Sequence, residues 1–213
     1  MSELIDLINA SPARNGRILG VVAGVVTNNK DPDKLGRVKV RFPWLSDTDE
    51  SWWARVASPM AGKDRGVFFL PEVDDEVLVL FEHGDPRFPY VIGALWNGST
   101  PPFLTNDDGK NDKRVIRSRS GHTITLNDKD GEETIEIVDK TGDNSVVISS
   151  KDNKLTISAS SDISITSANG KVSLSGKGIE LTSEADIKLK ASSGMNLEAS
   201  GKAVLKGSTV EIN

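Results

Sequence analysis

Residues 154–213 read KLTISASSDISITSANGKVSLSGKGIELTSEADIKLKASSGMNLEASGKAVLKGSTVEIN. Within this stretch an apolar–x–apolar pair recurs. The pairs are Leu155/Ile157, Ile163/Ile165, Val172/Leu174, Ile179/Leu181, Ile187/Leu189, Met195/Leu197, Ala203/Leu205 and Val210/Ile212. They run from 155 to 210 over seven intervals, a mean near eight residues. Residues at i and i+2 point to the same face of a strand, so each pair presents one apolar face while the residue between them, which in seven of the eight pairs is Ser, Lys, Glu, Thr or Asn, points away. Ser, Asn, Gly and Lys between the pairs supply corners. A unit of about eight residues is too short to bury its own apolar face, so units must stack.

One chain cannot wrap a whole coil with so short a unit. Three chains wound together can, each forming one side of a triangular prism with its apolar pairs turned to a shared axis. This predicts a homotrimeric, intertwined triple-stranded β-helix over 115–213, with Ile163, Ile165, Ile179, Leu181, Ile187, Leu189, Met195 and Leu197 in the trimer core. Ile124/Leu126, Ile135/Ile137 and Val146/Ile148 read as earlier, longer-spaced copies. At ~4.8 Å per strand, about eleven strands give a rod roughly 50 Å long. Disordered Ser/Lys-rich tails do not keep paired Ile, Leu and Val in register over eight units.

Composition divides the chain near residue 103. All nine prolines lie between Pro12 and Pro102, and every aromatic residue lies at or before Phe103. A narrow axial core has no room for rings, and a continuous strand ladder has no place for proline. Thr105 to Lys113 (TNDDGKNDK) is polar and centred on Gly109, so 104–114 reads as a linker or neck. Residues 1–15 read as an N-terminal arm, in which Leu4, Ile5 and Ile8 share one face of a short helix.

Residues 16–103 alternate short strands with turns. Ile18–Thr27, Arg37–Phe42, Trp52–Ala57, Gly66–Leu70, Glu76–Glu82 and Tyr90–Leu95 read as strands, and Asn28–Gly36 as a turn-rich loop. Strands at this spacing, with no helical pattern between them, predict an all-β domain, best fitted by a five-stranded OB-type barrel around large rings. Such barrels also bind single strands or glycans, so Arg37, Lys39, Arg41 and Arg55 near Trp44, Trp52 and Trp53 admit an alternative: a trimeric binding module with a stacking groove. The formal net charge of −5 and the interspersed Asp47, Asp49 and Glu50 weigh against nucleic acid.

The chain has no cysteine, so thiolate chemistry, disulfides and iron–sulfur clusters are excluded. His83 and His122 are the only histidines, and neither adjoins a nucleophile motif. Asp74/Asp75 and Asp107/Asp108 read as solvated turns. No catalytic, metal or cofactor site is expected. The start lacks a secretory signal and no apolar run reaches membrane-spanning length, so synthesis in the cytosol is expected.

Several motifs together resemble the VgrG/phage baseplate assembly protein V family, the central spikes of contractile injection systems. They are Gly36-Arg37-Val38-Lys39-Val40-Arg41-Phe42-Pro43-Trp44, Trp53-Ala54-Arg55-Val56, Phe81-Glu82-His83-Gly84-Asp85-Pro86 and Gly93-Ala94-Leu95-Trp96-Asn97. Arg117-Ser118-Arg119-Ser120-Gly121-His122 resembles the neck where that family's prism begins. The resemblance implies a non-enzymatic spike of a phage-tail-like particle that docks on a hub and tube and punctures a cell envelope. It also implies departures from the family pattern: about 15 residues where type VI members carry a hub domain, so that the hub is a separate protein, and no room for a lysozyme domain between Asn97 and Arg114. Some members end in a histidine tip that holds iron. Here no histidine follows residue 122, so a separate PAAR-like tip protein is expected on Val210, Ile212 and Asn213.

Overall fold

The computed structural model describes residues 16–211, which divide at Asn111/Asp112 into two compact units. The expected arm, Ile212 and Asn213 lie outside the described residues.

In the first unit, strands β1 (Val21–Asn28), β2 (Lys39–Arg41), β3 (Arg55–Val56), β6 (Glu76–Phe81) and β7 (Pro89–Leu95) form one sheet in the order β2-β1-β6-β7-β3. All neighbours are antiparallel except β3 and β7, which run parallel with Arg55 opposite Tyr90. The remaining edges meet. The Val38 and Ala54 backbones exchange hydrogen bonds of 3.0 and 2.7 Å, and the Ser51 N–H donates to the Val40 carbonyl at 2.8 Å. The sheet therefore curls into an OB-like barrel. Two short strands, β4 (Ala61–Gly62) and β5 (Arg65–Gly66), make a hairpin beside it.

The expected ring-filled core is corrected by the structure. Val26, Val38, Val40, Val77, Val79 and Val91 are buried, with Ala54, and only Phe42 and Phe81 bring rings inside, 5.6 Å apart. The inward positions of a narrow barrel leave a space that β-branched side chains fill. Trp44, Trp52, Phe68, Phe69, Phe88 and Trp96 lie exposed instead. The strand expected at Gly66–Leu70 is limited to β5, and Phe68 and Phe69 project from the irregular segment after it. Gly24 is required by close approach: a Cβ there would lie 2.4 Å from Val40 Cγ1 across the β1–β2 pair.

In the second unit, β8 (Lys113–Arg117), β9 (Thr123–Asn127), β10 (Thr134–Val138), β11 (Ser145–Ser149) and β12 (Lys154–Ser158) form an antiparallel meander in chain order. Each adjacent pair is in register over five residues. The connections are short turns, with Gly121, Gly131 and Gly142 at positive φ. Among the described residues no strand follows Ser158, and all from Ser161 to Glu211 are exposed.

Candidate functional site

Strand alternation and in-register pairing sort the meander's side chains into two faces. On one face Ile116, Ile124, Ile137, Val146 and Ile157 stand opposite one another in an unbroken row across all five strands. Beside it runs a second row, Leu126, Ile135, Ile148 and Leu155, begun by Arg114, whose guanidinium pairs with Asp128. The other face carries Thr125, Glu136, Val147 and Thr156. Its central row is half-buried, whereas eight of the nine apolar residues in the two rows are 42–60% exposed. An antiparallel sheet ordinarily covers its apolar face, and in the single chain this one is open.

The positions expected at a trimer axis, from Ile163 through Leu197, belong to the strandless segment and are likewise open, as is Val210. In the single chain none of them has a packing partner that takes it out of water.

The junction between meander and tail is held by side chains distant in sequence. Asp139 accepts from Thr141 Oγ1 at 2.8 Å, from the Gly142 N–H at 3.1 Å and from Asn144 Nδ2 at 3.0 Å. The Thr141 hydroxyl and the Asn144 amide hold its carboxyl at a pKa of about 2, below the usual range. Asn144 Oδ1 in turn accepts the Ser160 N–H at 3.2 Å, two residues beyond β12. His122 Nδ1 accepts the Lys140 N–H at 3.2 Å, so this imidazole braces a turn. The sequence-based reading missed the Asp139–Asn144–Ser160 chain. An Asx-turn signature at Asp139-Lys140-Thr141-Gly142 was its only local trace.

The stacking groove of the alternative reading is differently constituted. Arg37 lies 5.9 Å and Lys39 5.7 Å from the Trp53 ring, and Arg55 stands 5.5 Å over Tyr90. Arg37 and Lys39 are already committed, however. Arg37 reaches Asp31 at 2.7 Å and Asp33 at 2.6 Å, and Lys39 reaches Glu50 at 3.0 Å. The Asp31 carboxylate, 3% exposed, also accepts the Leu35 N–H at 3.0 Å and the Asp33 N–H at 3.1 Å, fixing the loop between β1 and β2. The Arg37 guanidinium holds Asp31 well below the usual carboxylate range, and the two aspartates hold Arg37 above its own. These side chains are loop clamps, neutralised before a phosphate arrives. Tyr90 Oη donates to Glu82 Oε2 at 2.5 Å, which keeps the phenol protonated to higher pH. Among the described residues no group of three His, Asp or Glu side chains is placed to hold a metal ion. No helix there is long and apolar enough to cross a membrane.

Comparison with known proteins covers both units. Residues 22–96 match the type VI secretion system/phage-baseplate injector OB domain. The chain is 32% identical over 136 residues to the type VI secretion system spike protein VgrG3 of Vibrio cholerae, covering 59% of this chain and 13% of that protein. It is 33% identical over 137 residues to the spike protein VgrG1a of Pseudomonas aeruginosa, covering 59% and 21%. The actin cross-linking toxin VgrG1 of Vibrio cholerae shares 31% over 133 residues, 58% of this chain and 12% of its own length. The matched part of this chain exceeds the whole first unit, so similarity continues into the second. The chain thus spans between about one eighth and one fifth of the length of these relatives. Residues 22–96 thus carry the injector OB domain, and the chain is similar to VgrG spike proteins over 59% of its own length.

Proposed function

We propose that this protein is a structural spike of a contractile injection system, acting as a homotrimer and not as an enzyme. The observation that carries the reading is the bare apolar face of β8–β12, followed by evenly spaced apolar pairs that nothing in the single chain covers. Three copies related by a threefold axis bury both: the meander faces pack together, and the tails wind into a triple-stranded β-helix. The barrel docks on a hub protein and tube of the baseplate. A PAAR-like tip protein seats on the exposed apolar side chain of Val210. Sheath contraction then drives the rod forward, and the inter-chain ladder carries the load to puncture the target envelope. The relatives named as spike proteins support this role, and the neutralised cations around Trp53 weigh against a nucleic-acid module.

Native mass spectrometry and light scattering test the reading. A trimer that survives denaturant and shows no salt-sensitive oligonucleotide binding is expected. A monomer or dimer refutes the prism, and tight oligonucleotide binding favours the binding module.

A further inference from the structure

The chain enters the barrel beside a recess. The Ile18 N–H donates to the Gly84 carbonyl at 2.8 Å, and Gly16 and Arg17 line the recess with Arg87 and Phe88. Arg87 and Phe88 also line a larger cleft of about 850 Å³, together with Leu35, Trp52, Trp53, Arg55 and Tyr90. Leu35, Trp52 and Phe88 are each more than half exposed, so the cleft offers apolar surface that the barrel leaves in water. Its frame is fixed by the pairs of Arg37 with Asp31 and Asp33, by the Arg87–Asp85 pair at 2.7 Å, and by the pairing of β3 with β7. Those ion pairs neutralise the charges of its walls except Arg55. That guanidinium lies 5.5 Å from the Tyr90 ring and has no carboxylate partner among the described residues.

We infer that this cleft is the seat of residues 1–15 of the same chain, with the apolar face around Leu4 and Ile8 on its aromatic walls and Glu3 and Asp6 toward Arg55. Reach, pattern and charge choose this occupant. Ile8 precedes Gly16 by eight residues, a span of up to about 26 Å, so the apolar cluster can cross a cleft of this volume from the recess where the chain enters. Leu4, Ile5 and Ile8 share one helical face, widened by Leu7 three residues after Leu4, and such spacing lets a short amphipathic helix lay one side in a groove. Glu3 and Asp6 bring negative charge to a cleft whose uncompensated charge is positive, whereas Arg14, the one cation of the segment, lies next to the entry point. A tethered segment meets its seat at millimolar effective concentration, so weak contacts suffice to hold it. Seated there, it closes to nucleic acid and glycan the aromatic wall that a stacking groove would need.

The test uses the full chain and amide hydrogen exchange over residues 4–9, with exchange over β1 and β6 as the check that each variant keeps its barrel. Residues 4–9 are expected to exchange at least tenfold more slowly than an unstructured chain. Ile8→Asp in the segment and Trp52→Ala in the cleft are each expected to remove that protection; Trp52 is exposed, so its loss leaves the barrel core intact. Arg55→Glu is expected to weaken the protection at least threefold, and Glu3→Lys with Asp6→Lys to restore it in the same chain. Free-chain exchange over 4–9 in the wild type, or protection that survives Trp52→Ala, overturns the cleft as the seat. Charge reversal that restores nothing overturns the pairing with Arg55. Ile8→Cys with Leu35→Cys, in a chain that has no other thiol, is expected to oxidise within one chain. A product that joins two chains overturns occupancy by the same chain.

Discussion

Replacing Ile187 by aspartate, with Lys188→Asp as its partner experiment, separates an assembled tail from a free one. In the single chain Ile187 is 54% exposed and the Lys188 side chain 86% exposed, so a free tail feels neither change by more than about 0.5 kcal/mol. In a prism the two differ. Burying an isoleucine side chain completely contributes about 1.5–3 kcal/mol, and roughly half of that area remains to be hidden here, giving about 1–1.5 kcal/mol per chain. Three chains lose about 3–5 kcal/mol together, before the cost of bringing three carboxylates to one axis. At 2–4 °C per kcal/mol for a chain of this size, the tail transition should fall by about 10 °C or more. Lys188→Asp should move it by no more than about 2 °C, since an outward charge stays hydrated. Crowding raises the introduced carboxyl's pKa in the assembled state above its unfolded value. The charge part of its destabilisation should therefore vanish below about pH 4 and grow as pH rises through the folded pKa, while the cost of lost burial persists at every pH. Calorimetry with matched hydrogen exchange reads all three. Equal melting shifts for the two variants would refute the register.

Val79→Ala, at a fully buried barrel position, should cost about 2 kcal/mol in chemical denaturation of the first unit, because two methyl groups leave a cavity that the closed sheet cannot collapse. Gly24→Val should cost about 1–3 kcal/mol in the same assay, because its side chain meets Val40 across the β1–β2 pair. Asp139 has its carboxyl held at about 2, so its turn should contribute fully at neutral pH, down to about pH 4, and lose that contribution as pH falls through about 2. The melting temperature of wild type and Asp139→Asn should then converge on acidification, by scanning calorimetry from pH 6 to 2. Deleting Ser208–Asn213 should leave a folded trimer that no longer retains a PAAR-like tip protein in a pull-down.

Period-two alternation and turn residues made most strands legible in the sequence, as at Val38 and Val40, which the alternation singles out and the barrel buries. Ring composition misled about the core: counting aromatics says that a domain owns rings, not which side of a narrow barrel holds them. Phe68 and Phe69 failed as a strand because the segment after β5 finds no pairing edge in a barrel already closed between Val38 and Ala54. The tail's apolar pairs were visible in sequence because i, i+2 spacing is a local property of extended backbone. Tertiary structure alone decided that Ile116, Ile124, Ile137, Val146 and Ile157 make one row, since turn lengths set which strands pair and in what register. It alone brought Asn144 to Ser160 and tied Arg37 to Asp31 and Asp33. Such contacts depend on where the folded backbone returns, and residue spacing along a chain does not carry that information.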